Sequence, residues 1–385
     1  MIRKFVWLLL SIAITVTMQA QDRYVTFYGP LNNAWYHIRH DKKATVTFLG
    51  GSITNMDGWR TKVCDYLGAT YPGTAFRFIN AGIPSLGSLP HSFRFENDVL
   101  KKGTTDLLFI EAAVNDRVNG TNELTQRRAM EGIIRHALAA NPQMNIVLMA
   151  FVDEDKMADY HAGKVPVEVQ VHEDLAKRYH LPFINLAKEV TDRIDAHEFT
   201  WKEDFKDLHP APFGQTLYFN TIRRLLDTAF NRPVPKRLTS AVLPKAADPL
   251  NYEHGAYVDI HTATNKNGFT VNESWEPSDK VATREGFVKV PMLVSSGAHA
   301  SVEFPFTGRT VGIGIVSGPD AGTISYSIDG GAVQQKDLRT QWSKSLYLPW
   351  FLILGDDLKP GRHVLKIVTG DATDVTRIVH FLVNR

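Results

Sequence analysis

The sequence predicts an α/β domain built on a five-stranded parallel sheet, followed by a β-sandwich of jelly-roll type. From Thr45 to about Phe230, short β-branched or apolar runs alternate with segments of helical period, which is typical of a parallel sheet covered on both faces by helices. Beyond residue 255 the runs are short, partly alternating and separated by Gly, Asp and Pro turns, a pattern that indicates a sandwich. The 385 residues suffice for about two domains.

Five apolar and β-branched runs are expected to form the strands of the sheet. Their last residues are Gly50, Asn80, Val114, Phe151 and Leu186. Apolar residues recur at helical spacing in three of the remaining segments, which predicts helices over 129–138, 167–179 and 213–226. The sheet is therefore expected to lie between layers of helices.

Residues 1–21 have the pattern of a signal peptide, because Arg3 and Lys4 precede an apolar run from Phe5 to about Val16. This run is shorter than the roughly 20 apolar residues that a membrane-spanning helix needs. No cysteine follows it for lipidation. We therefore expect a secreted or periplasmic protein with no membrane span after cleavage of the signal.

The segment 231–255 contains four prolines and little periodicity, which predicts a linker or a strap lying across the first domain. The two domains are then expected over residues 22–230 and 256–385. The formal net charge of +2 is spread without long runs of one sign, so nothing points to a nucleic-acid partner. The single cysteine, Cys64, is predicted to be a half-buried or core residue of a helix.

The candidate nucleophile is Ser52, which follows Gly50 and Gly51 directly after the first predicted strand. Ligands of open α/β sheets bind at the carboxyl ends of the strands. The glycines permit a tight turn, and the next helix would point its first N–H groups at the same place. The structural alternative is a serine that caps the helix.

Other strand ends also carry groups that are suited to acyl transfer. The backbone N–H of Gly82 and the side-chain amide of Asn115 would join the N–H of Ser52 as donors to an oxyanion. A turn glycine and a turn asparagine are the alternatives. His209, in the segment DLHP, can act as general base and needs an acid to orient it; the alternative is a loop histidine bonded to Asp207.

Together these blocks resemble the SGNH hydrolases, the GDSL-like esterases and lipases named for Ser, Gly, Asn and His. The matching segments are FLGGSIT with Ser52, INAGIPSLGS with Gly82, EAAVND with Asn115 and DLHPAPFG with His209. They occur in the family's order and span residues 44 to about 230. The resemblance implies a flavodoxin-like α/β/α domain and ester hydrolysis through an acyl-enzyme, without metal or cofactor.

In three places the chain departs from the family pattern. Gly51 replaces the aspartate of Gly-Asp-Ser, and Ala113 replaces the glycine of Gly-x-Asn-Asp. Lys206 stands three residues before the histidine, where the family's orienting aspartate usually lies. Asp207 is therefore the expected triad acid, Asp204 is the alternative, and a Ser-His dyad remains open.

Three further residues of the first domain are candidate substrate contacts, each with a structural alternative as a surface histidine, a capping arginine or a packing side chain: His91, Arg94 and Trp59. In the β domain, aromatic residues cluster in a short span and would either stack on sugar rings or pack in the core: Trp342, Tyr347 and Trp350. Glu111 is expected to be a strand residue with a structural partner.

The predicted function is that of an exported carboxylic ester hydrolase that removes acyl groups, most simply acetyl, from a carbohydrate. Its expected partner is thus an acylated carbohydrate or another small ester. One alternative keeps the chemistry and changes the substrate to a non-carbohydrate acyl ester. Another is a non-catalytic glycan-binding protein on the same scaffold.

Overall fold

The computed structural model describes residues 22–385, and the predicted signal peptide, residues 1–21, lies outside the described residues. The described chain forms an α/β domain followed by a β-sandwich. Within the described range, the structure contains no helix that is both long and apolar enough to cross a membrane.

A six-stranded sheet with the order β1-β6-β5-β4-β2-β3 forms the centre of the α/β domain. Its strands are β1 Val25–Phe27, β2 Lys43–Gly50, β3 Ala75–Gly82, β4 Leu107–Glu111, β5 Asn145–Ala150 and β6 Pro182–Asn185. Strands β2 to β6 are parallel, which confirms the five-stranded parallel sheet. Strand β1 adds an antiparallel edge to β6; its three residues are too few to show an alternating pattern.

The helices of this domain form the two outer layers around the sheet. In chain order they are α1 Asn32–Tyr36, α2 Ser52–Asn55, α3 Trp59–Thr70, α4 Ser88–Asp98, α5 Ala113–Val118, α6 Glu123–Ala140, α7 Glu154–His161, α8 Val167–Arg178, α9 Leu186–Asp195 and α10 Pro212–Phe230. Helix α3 packs on α10, and α6 packs on both α4 and α8. The three helices predicted from apolar spacing are thus present as α6, α8 and α10.

The helix that carries Cys64 is α3. The thiol is half-buried, and burial raises its pKa to about 11. Because the thiolate is the nucleophilic form of cysteine, this thiol is inert at neutral pH, and Cys64 is a packing residue as the sequence predicts.

Two antiparallel sheets make up the sandwich, with the orders β15-β12-β17-β10-β9 and β14-β13-β16-β11-β8; β7 also pairs with β17. The strands are β7 Gly255–Val258, β8 Thr264–Asn267, β9 Phe269–Trp275, β10 Val290–Ser295, β11 Ser301–Gly308, β12 Thr310–Ser317, β13 Thr323–Ile328, β14 Gln334–Asp337, β15 Leu348–Gly355, β16 Gly361–Thr369 and β17 Arg377–Asn384. The alternation of buried and more exposed side chains is clearest in β11, where Val302, Phe304 and Phe306 are buried in the core.

Residues 231–254 lie against the α/β domain before the chain enters the sandwich. The Asn33 side chain donates to the carbonyl of Thr239, and the Ala241 N–H donates to the carbonyl of Pro142. Further along, the Arg135 guanidinium donates to Glu253. The segment is therefore held along the surface of the first domain at several points.

A separate hydrophobic cluster joins the two domains. Leu89 and Phe93 of α4 pack there with Phe351 and Leu382 of the sandwich, and all four side chains are buried. Because burial of apolar surface is the main favourable contribution to association, this cluster fixes the sandwich against the face of the first domain that carries α4.

Arg128 of α6 ties this interface together electrostatically. Its guanidinium donates to Asp248 at 2.7 Å, to Asp356 at 2.7 Å and to Asp357 at 2.8 Å. Asp248 belongs to the connecting segment and the other two aspartates follow β15, while the arginine side chain is only 6% exposed. One side chain thus links the first domain, the connection and the sandwich.

Replacing Arg128 with alanine is expected to destabilise the protein by about 1–3 kcal/mol, because it removes buried charge-assisted hydrogen bonds and leaves their acceptors unpaired. The matched control is Arg127→Ala. Arg127 pairs with Glu123 and Asp174 at the surface, where such pairs contribute about 0–1 kcal/mol. Urea unfolding of both variants measures the difference, and equal destabilisation would contradict the special role of Arg128.

Candidate active site

Ser52 is the first residue of α2, immediately after β2, and Gly51 occupies the capping position. Ser52 is therefore inside the helix and not at its capping position. Its Oγ lies 2.8 Å from Nε2 of His209. The structure therefore brings together the two residues that the sequence pairs as nucleophile and base, although they are 157 positions apart.

His209 lies in a short loop between a π-helical turn, Trp201–Phe205, and α10. The ends of this loop are joined, since the Ala211 N–H donates to the carbonyl of Phe205 at 2.9 Å. Phe205 is fully buried. The position of His209 is thus set by packing at the start of α10.

Asp207 is the carboxylate that approaches His209. Its Oδ1 accepts the backbone N–H of His209 at 2.5 Å and lies 3.6 Å from Nδ1 of the ring. Asp204, the alternative acid, instead accepts from the N–H and hydroxyl of Thr200 at 2.8 and 3.1 Å. Because the Asp207 side chain is 65% exposed, its electrostatic effect on the imidazole is weakened by water.

Asn115 lies on α5, at the carboxyl end of β4, and its amide packs against the nucleophile turn. A Cβ atom added to Gly51 would lie 1.9 Å from Oδ1 of Asn115. In this chain, a side chain at position 51 would therefore require the amide of Asn115 to shift.

Two buried carboxyl groups hold the backbone around Asn115. Oε1 of Glu111 accepts the N–H groups of Val114 and Phe151 at 3.1 and 3.3 Å. Oδ1 of Asp116 accepts the N–H and hydroxyl of Ser88 at 2.8 and 3.0 Å. Burial raises the pKa of both carboxyls to about 7. Glu111 thus has the structural role that the sequence suggests.

Gly82 does not supply an oxyanion donor, which corrects the expectation from the sequence. Its N–H donates to Oδ1 of Asn80 at 2.9 Å, and it does not line the cavity at Ser52. A Cβ atom added there would lie 2.5 Å from the backbone nitrogen of Asn55. The glycine is needed so that β3 can pack closely on α2.

Ser85 occupies the position that Gly82 was expected to fill. It lines the same cavity as Ser52, Asn115 and His209. Its φ of 72° lies in the left-handed region, and its carbonyl accepts from Nδ2 of Asn119 at 2.9 Å. Within residues 22–385 its N–H has no acceptor, so this donor is available to a ligand.

The sequence does contain a signal for this turn. The Leu86 N–H donates to the carbonyl of Ile83 at 3.3 Å, so residues 83–86 form a β-turn with Pro84 in second place and a positive φ in third. A proline at the second of the four turn residues and a positive φ at the third are typical of a type II turn. A proline followed by a small residue could therefore have indicated Ser85.

Ser52 opens into a cavity of about 190 Å³ whose walls come from both domains. Val114 and Leu208 of the first domain line one part of it. The sandwich contributes Arg284, Trp342, Leu346 and Leu348. The second domain therefore shapes the site directly.

The remaining candidate contacts in the first domain are wrong, because the side chains of Trp59, His91 and Arg94 are fully buried and none of them lines the cavity. The guanidinium of Arg94 donates to the carbonyl of Ala81 at 2.6 Å and to that of Gly50 at 3.4 Å. It thereby holds the ends of β3 and β2 together beneath the nucleophile turn.

The aromatic residues of the sandwich divide between packing and the cleft. Tyr347 is buried, and its hydroxyl donates to Asp279 at 3.0 Å. Trp342 lines the cavity at Ser52 and Trp350 lines an adjoining cavity; both are half-buried, with ring centroids 6.1 Å apart. Two of the three aromatic residues can therefore meet a ligand.

The chain is similar in fold to solved two-domain esterases. One, active on acetylated mannans and co-crystallized with mannopentaose, shows 20% identity, a TM-score of 0.71, and coverage of 93% of this chain and 98% of the other. A second structure of a two-domain esterase active on acetylated mannans shows 19% identity, a TM-score of 0.72 and the same coverage. The similarity covers both domains and shows a shared fold. A search of curated proteins found no match.

Residues 48–217 match the model of the GDSL-like Lipase/Acylhydrolase family. The matched range includes Ser52, Ser85, Asn115 and His209, which meet at one cavity. Residues 48–217 therefore form a GDSL-like lipase/acylhydrolase domain, and the chain is a carboxylic ester hydrolase.

Proposed function

We propose that this protein is an exported esterase that removes acetyl groups from a carbohydrate through an acyl-enzyme. The observation that carries the proposal is the 2.8 Å contact between Ser52 Oγ and His209 Nε2 in a cavity that both domains line. The solved esterases of the same two-domain fold act on acetylated mannans. Export rests on the signal pattern of residues 1–21.

The geometry supports a two-step mechanism. Nε2 of His209 takes the Ser52 proton as Oγ attacks the ester carbonyl, and the same proton then passes to the departing sugar oxygen. His209 next takes a proton from water, the hydroxide attacks the acyl-serine, and the proton returns to Ser52 as acetate leaves. Each addition places negative charge on the carbonyl oxygen.

Three donors at the cavity are available for that charge: the backbone N–H groups of Ser52 and Ser85 and the side-chain amide of Asn115. All three residues line the cavity. Donors fixed before reaction stabilise the oxyanion without reorganisation, which is commonly the largest contribution to acyl transfer. Ser85 thus replaces Gly82 in the proposed set.

The size of the cavity favours a short acyl group. Its volume of about 190 Å³ is below the roughly 300–1,000 Å³ of typical small-molecule sites. Trp342 offers an indole face in the wall contributed by the sandwich. A short ester on a sugar ring fits this combination better than a long acyl chain. The Ser52–His209 contact also weighs against a non-catalytic glycan-binding protein.

Replacing Ser52 with alanine is expected to abolish acetate release from p-nitrophenyl acetate and from acetylated polysaccharides, because the nucleophile is lost. A fluorophosphonate probe should label the wild type and not this variant. Ser85→Ala is the matched control; it keeps the backbone N–H and should retain labelling. Acetate release that survives Ser52→Ala would refute the mechanism.

The Asn115→Ala variant should lower kcat about 100- to 1,000-fold, the usual cost of losing one oxyanion donor. The Gly51→Ala variant tests the same amide without changing Asn115, because the added Cβ would displace the Asn115 side chain. The kcat of this variant should also fall. Steady-state kinetics with p-nitrophenyl acetate measures both variants. An unchanged kcat in Asn115→Ala would remove this amide from the mechanism.

Asp207→Asn should reduce kcat by about 10- to 100-fold, less than the roughly 10,000-fold loss known for a buried triad acid, because Asp207 is largely exposed. Asp204→Asn is the matched control. It loosens the cap on residues 201–205 and should lower thermal stability more than kcat. If Asp204→Asn produced the larger loss of kcat, the roles of the two acids would be reversed.

A further inference from the structure

Arg284 stands in the wall of the active cavity without a carboxylate partner. It lines the cavity with Ser52 and His209, and its Nε is buried and has no hydrogen-bond acceptor within residues 22–385. An arginine remains charged at any physiological pH. A positive charge is therefore held beside the reacting ester.

The loop that carries Arg284 is fixed to the strand segment opposite it. The Tyr347 N–H donates to the carbonyl of Ala282 at 2.7 Å, and Ala282 forms a parallel bridge with Leu346. Leu346 itself lines the active cavity. Arg284 is thus positioned by backbone contacts two residues away.

Arg284 is partly buried, and the described arginines that are buried as whole residues all have carboxylate partners. Arg94 pairs with Asp98 at 2.8 Å, and Arg128 and Arg377 pair with aspartates of their own surroundings. Buried charges are normally paired, because an unpaired charge costs several kcal/mol of desolvation. The arrangement at Arg284 leaves the pairing position open to a ligand.

The cavity at Ser52 has a neighbouring cavity. A second cavity of about 280 Å³ shares Ser85 and Asn119 with the first, and Lys336 and Trp350 of the sandwich line it. Among the described residues that line the two cavities there is no aspartate or glutamate. These two adjoining cavities, called the cleft below, therefore carry two cations with no compensating carboxylate in their walls.

We propose that this cleft binds an acetylated acidic glycan, with Arg284 pairing a uronic-acid carboxylate next to the ester that Ser52 attacks. Arginine presents a planar fork of donors that matches a carboxylate with two parallel hydrogen bonds. Lys336 provides a second positive charge along the chain, and the indoles of Trp342 and Trp350 offer faces for sugar rings. The assignment rests on the proposed esterase function and names its substrate class.

The test compares two substrates that differ only in charge. One is acetylated polygalacturonate, and the other is the same acetylated polymer with its carboxyl groups converted to neutral amides, so that the acetyl groups keep their positions. The wild type should show a higher kcat/KM for acetate release from the acidic polymer, by roughly 10- to 100-fold. The preference should shrink as salt is raised.

Arg284→Gln should collapse this preference, mainly through KM for the acidic polymer, and Arg284→Lys should retain part of it. Arg309→Gln is the matched control, because the Nε of Arg309 is also buried and unpaired but Arg309 does not line either cavity. That variant should keep the wild-type ratio of the two kcat/KM values.

Equal kcat/KM for both polymers in the wild type would overturn the assignment while leaving the esterase function intact. A loss of activity in Arg284→Gln that is the same for both polymers and for p-nitrophenyl acetate would assign Arg284 a structural role and also overturn it. Failure to release acetate from every substrate would instead overturn the proposed function, and this assignment with it.

Discussion

The parallel pairing of β2 with β3 on one side and β4 on the other is the constraint on which the site depends. Strand β2 lies in register with β3 up to Gly50 and Gly82, and with β4 up to Leu49 and Ile110. Parallel strands end at one edge of a sheet, so the turns after all three strands meet there. The buried guanidinium of Arg94 reinforces this edge from below by bonding the carbonyls of Gly50 and Ala81.

The apolar cluster between the domains imposes a second constraint. Leu86 and Phe93 pack there with Phe351 and Leu382, and Leu86 is the residue that follows Ser85. The turn that offers its N–H to the cavity is therefore buttressed by the sandwich. The same packing brings Trp342 into the wall of the cavity at Ser52, so the stability of the interface and the shape of this cavity have a common origin.

The departures from the family pattern have different structural consequences. At Gly51 the absence of a side chain makes room for the amide of Asn115. Lys206 adopts a left-handed φ of 82° and ends the turn before the catalytic loop. The following residue, Asp207, then places its carboxylate on the backbone of His209 and near its ring. Although the acid lies one position later than in the family pattern, this loop still presents the carboxylate of Asp207 to His209.

The sequence by itself determined the parallel sheet, the main helices and the sandwich, because hydrophobic period depends on local chain geometry. It also identified Ser52 and His209 as partners, because their blocks stand at strand and loop ends in a recognisable order. Only the tertiary structure showed that the Gly82 N–H bonds Asn80 and that Ser85 lines the cavity, since hydrogen bonding and backbone direction within a turn are not visible in residue type. The burial of Arg94 and the place of Arg284 in the cavity wall were likewise visible only in the tertiary structure. Both depend on packing between segments that are distant in the chain.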